Sequence, residues 1–551
     1  MTTKRIVMTT DSRIRTRLVT SLWALLSILV ITVAPGPASA ATFTVTSAAD
    51  DSGCNLKPIY PSLGFASSCT LRGAIEAVNA QPQGSGPHRI NFSIGSGDQT
   101  IVLTKALQEI KRPVVIDGGT QPVVLWSKTG LTIGMTTTTC AAVNINNRHP
   151  CIQVNAHRLY TPVLTLAAGN STVRYLAIYN YSSPPVAVDD SGTGVLVTSD
   201  NNLLEFNYIG IDPSGVLVPK QMNQQQGVAV HPPQGQIPPV SAANTVIRNN
   251  VISGNRQNGV LLSGSFVNNS HLVSNFIGTT ADGLRAALPP DHDPFTCDNS
   301  HPQWGVSIQG GANNNWIQGN LISGNCNGVL IDATKFTEQL SPETALKTWN
   351  HVLGNRIGTD STGLSCLPNV VFSDLLYGVR ILNASSNFVG ETAGTVNVIS
   401  CHPYGVNIQT SNAVYARDNK VLGNDIGTNA GAKLGNTTGV LLSQYVTGTE
   451  ISGNDVENNG KDGINVSSAN LGTDDPNAPQ FNFVQNNTVS NNGVNGIVMQ
   501  SGTIGNTVES NTALGNQPDL REDNSNTSSC PNTWITNTFV TSGGTGYTCI
   551  H

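Results

Sequence analysis

A short phrase that keeps returning constrains this chain more than any other feature. "NNNWIQGNLISGNCNGVLIDA" (Asn313–Ala333) has the same build as "NTVIRNNVISGNRQNGVLLSG" from Asn244 and "NFVQNNTVSNNGVNGIVMQSG" from Asn482. Each holds three short runs of alternating apolar residues, separated by turns rich in Asn and Gly. Aligned on the Gly before the third run, the phrases place Gly194, Gly259, Gly305, Gly328, Gly378, Gly405, Gly439, Gly463 and Gly496 in one series. The shortest spacings are 328 − 305 = 23 and 463 − 439 = 24, whereas 259 − 194 = 65 leaves room for an extra coil or an insertion. Three short strands in about two dozen residues cannot close a core alone. Wound into a coil, each strand stacks on its equivalent about 4.8 Å away, and inward Val, Ile and Leu form columns. Asn suits the turns because it tolerates positive φ and its amide can bond up and down a stack, where a column of like charges would repel.

Composition agrees. Of 551 residues, 38% are hydrophobic but only 11% are charged, against about 25% in ordinary domains. The solvated face must therefore be built from Asn, Ser, Thr, Gln and Gly, which favours strands and turns over surface helices. Residues 1–40 read as an export signal. Lys4, Arg5, Arg13, Arg15 and Arg17 precede the apolar stretch Leu18–Val33, and Ala38-Ser39-Ala40 follows as a cleavage site. With Asp11 the signal carries +4, so its removal takes the formal charge from −6 to −10. A mildly acidic chain without basic clusters is a poor nucleic-acid ligand, and no later segment reads as a membrane span. The ten cysteines all follow the signal, and an exported chain is expected to form disulfides. Connectivity stays open from sequence. Local pairing gives Cys54 with Cys69, Cys140 with Cys151, Cys297 with Cys326, Cys366 with Cys401, and Cys530 with Cys549.

The repeat resembles the right-handed parallel β-helix family in the broad, pectin-lyase-like sense. "CTLRGAIEAVNA" (Cys69–Ala80), with "INFSIGSGDQTIVL" and "VVIDGGTQP" after it, is similar to the CSLREA-type segment that precedes bacterial β-helices. Leu71, Ala74, Ile75 and Val78 make one apolar helical face, and Thr70 is an N-cap candidate. Gly73 stands where the motif has Glu, so the helix is expected to be frayed or held mainly by packing. The closing segment Asp519–Ile550 resembles a C-terminal cap, with Trp534 and Phe539 over the last coil and Cys530–Cys549 as clasp. The expectation is an all-β right-handed parallel β-helix divided as signal 1–40, N-terminal cap and first coils 41–125, repeats 126–518 and C-terminal cap 519–551. A monomer is expected.

The resemblance also implies where chemistry sits: on one outward strand column. The strand after the repeat Gly is the candidate, and alternation turns Leu330 and Asp332 outward in "GVLID". The same rule turns out Ser307 and Gln309, Arg380, Asn407 and Gln409. Asp332 and Arg380 are the catalytic candidates, one coil apart. Ser307, Gln309, Asn407, Gln409 and Trp304 are the candidates for binding substrate. β-Helix lyases abstract a proton with Arg or Lys, and β-helix hydrolases use paired carboxylates. Asp332 has no matching carboxylate in the adjacent coil, which weakens the hydrolase version.

The loop 288–305 gathers Asp291, Asp293 and His301, residues suited to a divalent cation or to acid–base work, or to a solvated disulfide-held loop. A second recurring element, "NYIGIDPSG", "NFIGTTADG", "NRIGTDSTG" and "NDIGTNAGA", reads as a turn excursion. Ca2+ at Asp212 or Asp360 is compatible with it, and no cofactor is required. Two functional readings result. The first is an exported protein, secreted or at the cell surface, that binds polysaccharide or cell-surface glycan and cleaves it as a lyase or glycosidase. The second is a non-catalytic adhesion or structural module.

Overall fold

Alternating apolar runs of two to six residues can bury a face only by pairing with their equivalents, and they do so throughout the described residues. The structure, a computed structural model, describes residues 39–54, 68–129, 132–143, 149–182, 190–216, 225–233, 235, 240–287, 303–334, 346–367, 376–392, 394–410, 415–467, 478–525 and 530–551. Among these, three long parallel sheets of 15, 13 and 13 strands hold the three runs of successive coils. Each coil visits the first, second and third sheet in turn, as Trp316–Gln318, Leu321–Ile322 and Asn327–Asp332 do. The fold is a right-handed parallel β-helix, the hand that parallel crossovers take. Ile317, Ile322, Val329 and Ile331 are buried from this one coil and join a core that runs from Phe43 to Ile550.

The corners are asparagine ladders. In the longest, from Asn207 to Asn537, a typical rung has four side-chain bonds, as Asn275 does. Asn275 Oδ1 accepts from both Asn250 N at 3.0 Å and Asn250 Nδ2 at 3.0 Å. Its own Nδ2 donates to Ile247 O at 2.7 Å and to Asn320 Oδ1 at 2.9 Å. An amide is satisfied in this setting because it donates and accepts at once; a carboxylate accepts only. An acid can therefore close a ladder, and two of them end on acids at the C-terminal side, while the longest ends at Asn537 with Nδ2 donating to Val508 O at 2.8 Å. Asn516 N and Nδ2 both donate to Asp519 Oδ1, and Asn532 Nδ2 donates to the fully buried Glu522.

The excursions follow a two-coil rule. Those at Asp212–Gly215, Thr280–Gly283 and Asp360–Gly363, and the hairpin Thr428–Lys433, stand on alternate strands of the second sheet. They lean on one another: Ala281 N donates to Gly215 O at 2.8 Å, Ser361 N to Gly283 O at 2.9 Å, and Asn429 Nδ2 to Gly363 O at 2.6 Å. Their acids hold the turns. Asp212 Oδ1 accepts from Ser214 Oγ, and Asp360 Oδ1 from Thr362 N and Oγ1. Burial raises the Asp360 pKa, but these bonds with Thr362, Leu364, Ser365 and Gly363 outweigh it and leave the carboxyl below its usual range.

At the N-terminal end the helix Leu71–Asn79 forms with Leu71, Ala74, Ile75 and Val78 buried, and Thr70 Oγ1 caps Gly73 N. Of the two expectations, frayed or held mainly by packing, the structure shows packing: a Cβ on Gly73 would lie 2.3 Å from Gly53 O. Gly is what lets the loop before the helix lie against it. Arg72, which the sequence shows only as part of the motif, pairs with Asp50 and donates to Ala106 O and Lys105 O, with side-chain exposures of 2% and 3% for the pair. The antiparallel hairpin Pro122–Thr129 with Thr132–Thr139 was also not anticipated, and the 125/126 boundary falls inside it.

Disulfides join Cys54–Cys69, Cys140–Cys151, Cys366–Cys401 and Cys530–Cys549. Cys326 is also disulfide-bonded; Cys297, its expected partner, lies outside the described residues. The C-terminal clasp holds a turn of 3-10 helix, Tyr547–Cys549, and Trp534 is buried with Nε1 donating to Glu522 Oε2 at 3.1 Å.

Candidate functional site

The site grows out of the third sheet, where the strand after the repeat Gly is longest. Pairing is in register: Ser307 with Leu330, Leu330 with Arg380, and Arg380 with Asn407. Gln309, Asp332, Leu382 and Gln409 form the next outward column. Asp332 therefore aligns with Leu382, and Arg380 lies on the diagonal from it. Alternation breaks at the Gly. A Cβ on Gly328 would sit 2.2 Å from Gly378 O and 2.5 Å from the core atom Ile357 Cγ2. The chain bends there, and the residue before the Gly faces outward. In consecutive coils that residue is Trp304, Asn327, Tyr377 and Tyr404. Trp304 stacks on Tyr377 at 6.3 Å and Tyr377 on Tyr404 at 5.5 Å, above Leu330 and Leu382.

A cleft of about 470 Å³ opens here. It is lined by Leu261, Leu330, Leu382 and Trp304, by the amides of Gln226, Gln257, Asn258 and Gln309, and by Asp332 and Arg380. The amides are already ordered, with Asn258 Nδ2 donating to Gln226 Oε1 at 2.8 Å and Gln226 Nε2 to Gln257 Oε1 at 3.1 Å. The guanidinium carbon of Arg380 lies 4.6 Å from the Tyr377 ring centroid. Burial pushes the Tyr377 hydroxyl pKa up, with the Arg380 charge pulling the other way. Asp332 Oδ1 accepts from Thr334 N at 2.8 Å and from Thr334 Oγ1, and so caps the turn that follows its strand.

The structure thus brings Asp332, Arg380, Gln309 and Trp304 to one cleft. Ser307 and Asn407 face the same side but are 0% exposed, covered by their neighbours; Gln309 Nε2 donates to Ser307 Oγ at 2.8 Å. Gln409 stands one coil beyond the cleft wall. Asp291, Asp293 and His301 lie outside the described residues, as does most of the loop 288–305. Among the described residues, no three His, Cys, Asp or Glu side chains are gathered as a metal cluster, and no helix is long and apolar enough to cross a membrane. Sequence reasoning missed Tyr377, Asn258, Gln226 and Gln257. The aromatic residues that directly precede the repeat Gly were the signal for the first.

A family model described as a protein of unknown function (DUF1565) matches residues 212–360. No curated protein matches the sequence. Among solved structures, the chain is similar in fold to the A-module of the Azotobacter vinelandii mannuronan C-5 epimerase AlgE4, at 15% identity over 76% of this chain and 89% of that one, TM-score 0.40. It is similar also to the tailspike protein of E. coli bacteriophage HK620, at 12% identity over 91% and 78%, TM-score 0.39. A third likeness is to the periplasmic alginate epimerase AlgG, at 12% over 62% and 60%, TM-score 0.29.

Proposed function

We propose that this is an exported, monomeric polysaccharide-binding protein that seats a glycan across the outer face of its third sheet. One observation carries the reading: an open cleft joins an apolar floor of Trp304, Leu261, Leu330 and Leu382 to a rim of pre-ordered amides. A sugar ring is amphipathic in the same way, with an apolar face and polar edges, and binding sites of this size combine apolar lining with a few placed polar groups. Export is supported by the disulfides and by the leader-like residues 1–40, and the CSLREA-type resemblance of residues 42–122 belongs to the same reading.

Cleavage is the finer part of the proposal. Asp332 is the cleft's one carboxylate among the described residues, so general acid and base cannot both be carboxylates there. Turnover would then be an elimination beside Arg380 rather than paired-acid hydrolysis. The bonds Asp332 spends on Thr334 favour the second reading, a non-catalytic adhesion module. The test is a glycan screen that follows binding, unsaturated-product absorbance and reducing ends, with and without Ca2+. Leu261→Trp, which fills the cleft, is expected to weaken binding at least about tenfold with an unchanged melting temperature. Glycan binding that ignores this substitution overturns the assignment.

A further inference from the structure

The charge at the cleft is held on a ring face and not by an acid, as that of Arg417 is over Tyr415 elsewhere. Arg72, Arg174, Arg248 and Arg521 each pair with an Asp or Glu. Arg380 has no carboxylate within ion-pair distance among the described residues, and its buried Nε has no hydrogen-bond partner. Its guanidinium rests instead on Tyr377, itself stacked with Trp304 and Tyr404 at interplanar angles of 11° and 21°. The backbone of Tyr377 is fixed as well, its N donating to Asn327 Oδ1 at 3.0 Å. Beside it in register, Asn407 is fully buried and its Oδ1 is also without a partner. The acid of the cleft does not neutralise Arg380, because Asp332 aligns with Leu382 and turns Oδ1 to Thr334.

A ring face attracts a cation through its quadrupole but leaves the charge whole. A carboxylate would consume both the charge and the guanidinium's fork of donors. Resting on the proposed glycan site, we propose that the cleft selects an acidic glycan, whose anionic group pairs with Arg380 while Tyr377 holds the guanidinium in position. Arg380 touches the ligand; Tyr377 acts through Arg380 and is a positioning residue. A carboxylate and a sulfate ester each offer a pair of acceptor oxygens that match the guanidinium fork, so the chemistry is shared and the source is for experiment to divide.

The test uses one backbone in three charge states: dextran, carboxymethyl dextran and dextran sulfate, titrated into the full chain by calorimetry at two salt concentrations. The wild type is expected to bind at least one charged form about tenfold tighter than dextran, with affinity falling as salt rises. Arg380→Gln is expected to erase that preference and flatten the salt dependence. Tyr377→Phe, which keeps the ring face, retains the preference; Tyr377→Leu loses most of it while dextran affinity stays level, a split that general loosening of the cleft would not give. Arg417 provides the control, since it lies 4.9 Å over Tyr415 outside the cleft lining, and Arg417→Gln should change nothing. Preference for one charged form over the other names the anion. Equal binding of all three dextrans, or a preference that survives Arg380→Gln, overturns the inference and leaves the glycan site standing. Binding of none, or binding indifferent to Leu261→Trp, removes the glycan site itself.

Discussion

Two polar stacks climb this rod at the same pitch and solve the problem of repetition differently. The asparagine corners repeat one group, because each amide donates forward and accepts from behind. On the outside of the first sheet, Asp117, Arg174, Glu205 and Arg248 occupy paired positions and alternate in sign instead. Arg174 Nη2 reaches Asp117 at 2.7 Å, its Nη1 reaches Glu205 at 3.3 Å, and Arg248 Nη2 reaches Glu205 at 2.7 Å. The hydrogen bond to Asp117, against the opposing effect of burial, holds the Arg174 pKa above its ordinary value. The amide stack runs on from Asn207 to Asn537 because every rung both donates and accepts. The charged stack must alternate, and it stops after four coils, where Val273 follows Arg248.

The comparison breaks most visibly if an acid is put in mid-ladder. Asn355→Asp removes the donors to Ile317 O and Asn397 Oδ1 and buries a charge. A loss of about 3–5 kcal/mol is expected in denaturant titrations. At the ladder's end the acid is the fitting group: Asp519→Asn keeps one acceptor for Asn516 but loses the oxygen that Val540 N and Thr541 N share, and should cost about 2 kcal/mol. Equal losses at the two positions would show that ladder polarity does not matter.

A second test uses pH. His402 occupies a ladder corner, its N donating to Asn436 Oδ1 and its Nδ1 to Ser400 O. Burial lowers its pKa from 6.5 to about 4. A depressed pKa contributes stability that is present above 6.5 and lost as pH falls through 4, roughly 3 kcal/mol in all. His402→Asn should abolish that acid slope. Asp425 has the opposite sign: burial, then Asp455 and Glu457, raise it from 3.8 to about 6. Its stability is present below 3.8 and lost as pH rises through 6, so Asp425→Asn should raise the melting temperature at pH 8 and not at pH 3.

The smallest effect belongs to the charged stack. Glu205→Gln leaves Arg174 and Arg248 without a shared partner, but those side chains are 33% and 47% exposed. About 1 kcal/mol is expected, shrinking in high salt; a loss as large as that of Asn355→Asp would erase the contrast.

Much of this was legible in the sequence. Asn and Gly at fixed spacing announce the coil, because few residues both turn the chain and bond along a stack. Asp332 and Arg380 fell on the outer face because alternation holds from Val329 onward. It fails one residue earlier, at the Gly that admits the neighbouring carbonyl, and so Tyr377 and its stacking on the candidate Trp304 were missed. Arg72 was read as part of a motif and not as a buried anchor, since its partners Asp50, Lys105 and Ala106 come from distant segments. The two-coil alternation was present in "NYIGIDPSG" against "NVISGN", but only contacts between excursions show that the pair is the unit.

That pairing limits how such a rod can change length. Excision of a single coil would slide Gly283 and Ser361 out of mutual reach, turning a supported loop toward a bare corner, whereas excision of two would close the gap with like against like. Growth and shrinkage by doublets is thus written into the side of the molecule, independently of the core, which would accept a step of one.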